Sequence, residues 1–217
     1  NGGVDPDVAR MTGMMPGSIG DLDGDGTLEV VVTTWDGYVF AFEHDGTLRT
    51  GWPKTMNFDN AKDTNEDRVM EPGFFASPVL YDLDQQPALE IIAAGMDQHI
   101  YVWHADGSVM APYPKRLFNP DDTQSVETRA RIVSTPAVGD IDGDGKPDIA
   151  SGCSEVYGAA GVENEAVAYV IDGQTGEVKD GWPVSLYGLT VNVLPIVGRG
   201  VVANPMLADL DFDGKLE

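Results

Sequence analysis

Four times in 217 residues this chain sets acidic or amide side chains at alternating positions and then turns apolar. The segments are "DLDGDGTLE" from Asp21, "DLDQQPALE" from Asp82, "DIDGDGKPD" from Asp140 and "DLDFDGKLE" from Asp209, spaced 61, 58 and 69 residues apart. Carboxylates crowded in this way repel one another and need a counter-charge. A fixed period of this length marks a chain built from repeated structural units.

The flanks of the acidic segments repeat as well. Each is preceded by an apolar lead-in: "PGSIG", "SPVLY", "TPAVG" and "NPMLA". Three are followed by strand-like runs, "LEVVVTTW", "LEIIAAGM" and "PDIASGCS". A second alternating run comes next in each unit, "YVFAFEHDG", "HIYVWHADG" or "VAYVIDGQTG", and its Gly-containing turn suits a hairpin. An aromatic–Pro signature closes the unit at Trp52, Tyr113 and Trp182. The third unit is 11 residues longer, which we assign to an insertion, "EVYGAAGVENE", between its second and third strands.

Each unit therefore reads as four short antiparallel strands, with the acidic segment joining the first strand to the second. One such sheet cannot bury its apolar face alone and must pack on its neighbours. Radial packing of four-stranded sheets is a β-propeller. The same strands would also build a β-sandwich, but sandwiches rarely repeat so regularly. The expected fold class is all-β, a β-propeller with three complete blades and the start of a fourth. The approximate blades are 15–56, 76–117, 133–186 and 203–217, within a single partial domain spanning 1–217. Because the chain stops at Glu217 inside the fourth acidic segment, it is expected to be a fragment of a ring of six to eight blades. The remaining blades would come from the rest of the protein or from another chain.

The repeats resemble the FG-GAP/VCBS family, the units of integrin-α-type propellers and of many bacterial surface proteins. The pattern D-x-D-x-D-G-x-x-[DE] between two strands carries that resemblance. It implies an extracellular or cell-surface protein whose signal segment is not in this chain, with ligand contacts on one face of the ring.

Oxygen donors at alternating positions suit a hard cation such as Ca²⁺, which takes 6–8 oxygens and tolerates uneven geometry. The first loop offers Asp21, Asp23, Asp25, the Thr27 carbonyl and Glu29. The third offers Asp140, Asp142, Asp144, the Lys146 carbonyl and Asp148. The fourth offers Asp209, Asp211, Asp213, the Lys215 carbonyl and Glu217. The second is a weaker set of Asp82, Asp84, Gln86 and Glu90, with Pro87 where the others have Gly. Two to four structural Ca²⁺ ions are expected; solvated turns without metal are the alternative. An EF-hand would need a Glu at position 12 and flanking helices. Here position 12 is Val32 in the first loop and Ser151 in the third, and the flanks are strands.

Composition bounds the partners. A formal charge of −23 excludes a basic phosphate-binding surface, so no nucleic acid partner is expected. No run reaches the ~18 apolar residues of a membrane helix, so this segment should not insert into a membrane. The lone Cys153 rules out an intrachain disulfide and reads as a small apolar strand residue. His44, His99 and His104 sit on different units and read as surface or edge residues. Trp52, Tyr113 and Trp182 read as packing between blades, and Phe42 and Trp103 as core.

No catalytic residue is assigned. The long connectors and the insertion should share one face of the ring, opposite the acidic loops. They carry Arg68, Arg129, Arg131, Tyr157 and Tyr187 as ligand-face candidates. The expected function is an adhesion or interaction module taking a protein or glycan ligand on that face. The alternative is part of a secreted polysaccharide lyase, with Arg129, Arg131 and Tyr157 as candidates for its chemistry.

Overall fold

The computed structural model describes residues 15–60, 73–117, 131–156, 164–186, 201 and 203–217. Among the described residues, twelve strands form three four-stranded antiparallel meanders. The first sheet holds β1 (Ser18–Gly20), β2 (Glu29–Thr33), β3 (Tyr38–Phe42) and β4 (Lys54–Thr55). The second holds β5 (Val79–Tyr81), β6 (Glu90–Ala94), β7 (His99–Trp103) and β8 (Lys115–Arg116). The third holds β9 (Ala137–Gly139), β10 (Asp148–Val156), β11 (Asn164–Asp172) and β12 (Val184–Leu186). The acidic segments join the first strand of each sheet to the second, as their position between apolar runs required.

The sheets pack face to face in chain order, and strand periodicity decides which residue faces which neighbour. Ile91 and Ala93 of β6, with Tyr101 and Trp103 of β7, join a cluster with Leu22, Val31, Val39 and Trp52 of the first sheet. Ile92 and Ala94, with Ile100 and Val102, join the opposite cluster with Ile149, Val167, Tyr169 and Ile171 of the third. The middle sheet is covered on both sides, so every residue of β6 is buried. In β2 buried residues alternate with half-buried ones. Cys153 is fully buried in the cluster between the second and third sheets. These are propeller blades.

The first strands of the blades meet near the centre, and the lead-ins join them. Ser77 N–H donates to Thr135 Oγ1 at 3.0 Å, and Thr135 N–H donates to Asn204 Oδ1 at 2.8 Å. These three residues hold the same place in successive units, each directly before Pro and five residues before the first Asp. The Thr or Asn of one blade thus satisfies the amide of the blade before it. Close approach follows. A Cβ on Gly20 would lie 3.0 Å from Leu80 of the second blade, and one on Gly139 would lie 2.8 Å from Leu216 and 3.1 Å from Leu207. Leu207 and Leu216 occupy the unit positions of Leu80 and Leu89. Ala208 and Glu217 exchange backbone hydrogen bonds of 3.0 and 2.9 Å, so the fourth unit begins as the others do.

Trp52 and Tyr113 fill the gaps between blades, as their spacing suggested. Trp52 Nε1 donates to Ala105 O at 3.1 Å, and Tyr113 Oη donates to Gly173 O at 2.8 Å. Both acceptors lie in the turn after the third strand of the following blade. Trp182 is half-buried.

Two expectations need correction. The insertion of the third unit is not wholly a loop. The ladder runs on through Glu155↔Glu165 and Val156↔Asn164, because an antiparallel register once set extends residue by residue. One of the 11 extra residues also belongs to the next turn. The bridged residues there are Ile171 and Val178, whereas the equivalents are Phe42 with Leu48 and Trp103 with Val109. Phe42 is half-buried rather than core, stacked on Phe40 at 6.0 Å on the outer side of the first blade.

Thr135→Val keeps the shape of the side chain and deletes the acceptor for Ser77 N–H. It should cost about 1–3 kcal/mol, read as a lower urea midpoint with an unchanged slope. Tyr113→Phe should cost about 1 kcal/mol by the same measurement.

Candidate metal centres

The four acidic loops share one backbone course. Position four has positive φ in each of them: 76° at Gly24, 61° at Gln85, 76° at Gly143 and 64° at Phe212. Position six is left-handed again at Gly26, Gly145 and Gly214, with φ of 90°, 85° and 93°. That curl turns the loop amides inward onto the first Asp. Gly24 and Asp25 N–H donate to Asp21 Oδ1, and Gly26 N–H donates to Oδ2, at 2.8–3.1 Å. Asp140 receives the same three donors, and Asp209 receives those of Asp213 and Gly214.

The ninth residue is the anchor. Glu29, Glu90 and Asp148 are at most 1% exposed although each carries a carboxylate. One oxygen of each accepts the N–H of loop position two: Leu22 at 2.8 Å, Leu83 at 2.8 Å and Ile141 at 3.0 Å. Glu217 repeats the bond with Leu210 N–H at 2.8 Å but is exposed. The other oxygen is left to face the loop. Asp148 Oδ1 is buried without a hydrogen bond, and the Lys179 ammonium stands 3.2 Å away.

Positions one, three and nine converge. The sets Asp21–Asp23–Glu29, Asp140–Asp142–Asp148 and Asp209–Asp211–Glu217 each bring ligand atoms within 4.8 Å of one another. The position-five acids stand outside these sets. Asp25 Oδ1 accepts the Thr27 amide and hydroxyl, Asp144 Oδ1 the Lys146 amide, and Asp213 Oδ1 the Lys215 amide. The Thr27 bonds hold the Asp25 carboxyl below its ordinary range.

The second loop is built differently. Pro87 has no N–H to give to Asp82, and Asp82 Oδ1 is buried without a hydrogen-bond partner. Gln86 is exposed, its amide donating to Asp84 Oδ1 at 2.9 Å. Asp84 and Glu90 come together with His104 instead. His104 Nδ1 lies 3.1 Å from Glu90 Oε1 and 3.9 Å from Asp84 Oδ2. His104 is thus no isolated edge histidine: the hairpin after the third strand folds it over the loop. His99 instead bonds the backbone carbonyl of Asp97 at 2.8 Å, and His44 is exposed.

The same hairpin puts a cation over the first and third loops. Arg49 pairs with Asp23 at 2.6 Å and Glu43 at 3.1 Å, and stands 4.0 Å from Glu29. Lys179 pairs with Asp142 at 2.6 Å, Asp148 at 3.2 Å and Asp144 at 3.6 Å. The hydrogen bond to Asp142, with the Asp148 charge beside it, holds the Lys179 ammonium above its ordinary value. The Lys179 bond in turn lowers the Asp142 carboxyl, while burial raises that of Asp148. The sequence pattern did not reveal Arg49 or Lys179. Each directly follows the residue that bridges back to the third strand, a signal visible once the hairpin register is known.

Of the ligand-face candidates, Arg131 is described: it is half-buried and forms an isolated bridge residue after the second connector. Arg68, Arg129, Tyr157 and Tyr187 lie outside the described residues. The ends of the first connector do lie with the turns between second and third strands. Phe74 N–H donates to Thr34 O at 3.0 Å, and Met96 N–H donates to Gly73 O at 2.9 Å.

The sequence pattern of the FG-GAP-like repeat family matches residues 82–151, from the first Asp of the second loop into β10. Over that stretch the chain is similar to an FG-GAP-like repeat. The match holds the whole third acidic loop, and the other loops repeat its form. No curated protein matches the chain. Among solved structures, the crystal structure of the Pseudomonas aeruginosa PilY1 C-terminal domain aligns with 74% of the chain at 10% identity and a TM-score of 0.46. A europium-containing methanol dehydrogenase aligns with 82% at 19% identity and a TM-score of 0.40. The chain spans 37% and 27% of the length of those two chains.

Lys179→Met leaves the buried Asp148 carboxylate without its cation. In metal-free buffer near neutral pH this should cost about 1–3 kcal/mol. The lowered Asp142 carboxyl contributes stability above its ordinary value of 3.8 and loses it as pH falls through its lowered one. The deficit of the variant should therefore shrink in acid, measured as urea midpoints across the carboxylate range.

Proposed function

We propose that this chain is part of a calcium-stabilised, non-catalytic β-propeller of an exported or cell-surface protein, serving as an interaction module. The observation that carries the reading is the repeated convergence of loop positions one, three and nine to within 4.8 Å, around a buried carboxylate in the first and third loops. In the first, third and fourth loops the donors are oxygen throughout, which matches a hard cation. Asp21, Asp23 and Glu29 would hold one ion, Asp140, Asp142 and Asp148 a second, and Asp209, Asp211 and Glu217 a third. The ion would supply the positive charge that Arg49 and Lys179 otherwise bring. Metal bound only by the folded loop stabilises the fold by mass action.

The interaction role is supported by the FG-GAP-like repeat and by the charge of −23, which suits a soluble surface facing proteins or glycans. No helix among the described residues is long and apolar enough to cross a membrane. The ligand would be a protein or glycan on the face of the connectors, opposite the acidic loops.

Millimolar Ca²⁺ should raise the melting temperature of the chelator-treated protein by several degrees, and Asp148→Asn should remove part of that gain. A melting temperature indifferent to both Ca²⁺ and EDTA would refute the calcium reading. Arrays of glycans and surface proteins test the interaction role, alongside incubation with acidic polysaccharides. Release of unsaturated product would show an enzyme instead.

A further inference from the structure

We propose that the second blade carries a metal site of different chemistry: a nitrogen–oxygen site for a borderline divalent ion of the zinc class, held by Asp84, Glu90 and His104. Their ligand atoms lie within 4.8 Å of one another, with Nδ1–Oε1 at 3.1 Å and Nδ1–Oδ2 at 3.9 Å. Donors bound tetrahedrally at zinc distances are about 3.3 Å apart, so the three atoms already stand near coordination spacing.

Two departures from the other blades occur together here. Where the first and third blades have Arg49 and Lys179, the second has Met110, which is 6% exposed and buried in the core. Among the described residues, no ammonium or guanidinium pairs with Asp84 or Glu90 as Arg49 and Lys179 pair with their loops. Where those blades have the acidic Glu43 and Asp172, the second has His104. The hairpin thus removes a cation that cannot ligate and supplies a nitrogen that can. The loop itself has lost the hard-oxygen pattern, since Gln86 and Pro87 replace Asp and Gly and Asp82 is not among the three.

Glu90 is prepared for the role. It is 1% exposed, and Leu83 N–H fixes Oε2 at 2.8 Å, so only Oε1 is presented, toward His104. Fixing a ligand through its second atom raises metal affinity. An imidazole with two carboxylates favours zinc, cobalt or nickel over calcium, which seeks six or more oxygens. Three protein ligands leave a fourth position for water, and the half-exposed side chains of Asp84 and His104 open the site to solvent.

The test uses the full chain saturated with Ca²⁺ and titrated calorimetrically with Zn²⁺. One equivalent should bind, and His104→Ala should weaken it at least tenfold while His44→Ala leaves it unchanged. Co²⁺ should give the visible absorption of a four-coordinate site in the parent and lose it in His104→Ala. On the unaltered protein, Zn²⁺ should displace the imidazole nitrogen resonances of His104, so the proposal is tested even if a variant fails to fold. Zn²⁺ binding independent of His104, or no binding beyond what Ca²⁺ competes away, would overturn the proposal. It does not rest on the calcium reading: His104-dependent zinc binding with a calcium-indifferent melting temperature would defeat that reading and leave this one standing.

Discussion

A carboxylate buried at the head of each second strand governs these blades. Glu29, Glu90 and Asp148 each spend one oxygen on the amide of loop position two, which ties the acidic loop to the sheet it introduces. Desolvating the other oxygen demands a positive partner. In the third blade the Lys179 ammonium stands 3.2 Å from that oxygen; in the first, Glu29 Oε1 accepts the Thr27 hydroxyl at 3.3 Å, and Arg49 stands 4.0 Å from Oε2. In the second, the His104 ring nitrogen Nδ1 lies 3.1 Å from that oxygen, Glu90 Oε1. One negative group thus couples the first strand, the second strand and the hairpin after the third. The loops and hairpins are best regarded as one electrostatic unit per blade.

Between blades the forces are of another kind. Alternate residues of β6 and β7 in the middle blade are divided between two apolar clusters, so these inner strands are covered on both faces. Directional polar contacts add to this. A Ser–Thr–Asn relay of amides and side-chain oxygens links the first strands, and aromatic side chains bind the carbonyls of the next blade's turns. Apolar burial favours stacking in general, while these bonds fix how one blade sits on the next. The small residues Gly20 and Gly139 let leucines of the following blade approach the strand closely.

Much of this was legible in the sequence, and the reason is repetition. Any position important to a blade recurs at a fixed distance from the first Asp, so the acidic loop, the strand order and the aromatic–Pro position of Trp52 and Tyr113 all stood out. The alternation of apolar residues marked strands, but that the strand "EIIAA" is covered on both sides emerged only from the packing of its neighbours. Position-specific chemistry was harder to read. His104 looked isolated because its partners Asp84 and Glu90 are 20 and 14 residues away in sequence. Arg49 and Lys179 carried no signal in the repeat pattern. The third unit's extra residues looked like one loop, though strand pairing absorbs several of them.

The sequence by itself determined much of the local geometry: where strands begin, the glycine-marked left-handed turn at position six of three loops, and which oxygens a loop offers. Those follow from side-chain alternation, glycine and the short reach of an Asp to nearby amides. Only the tertiary structure decided which cation or imidazole stands beside each buried carboxylate, and which carbonyl receives each interblade bond. Such contacts join residues that are distant along the chain, and their partners are chosen by hairpin register and blade packing.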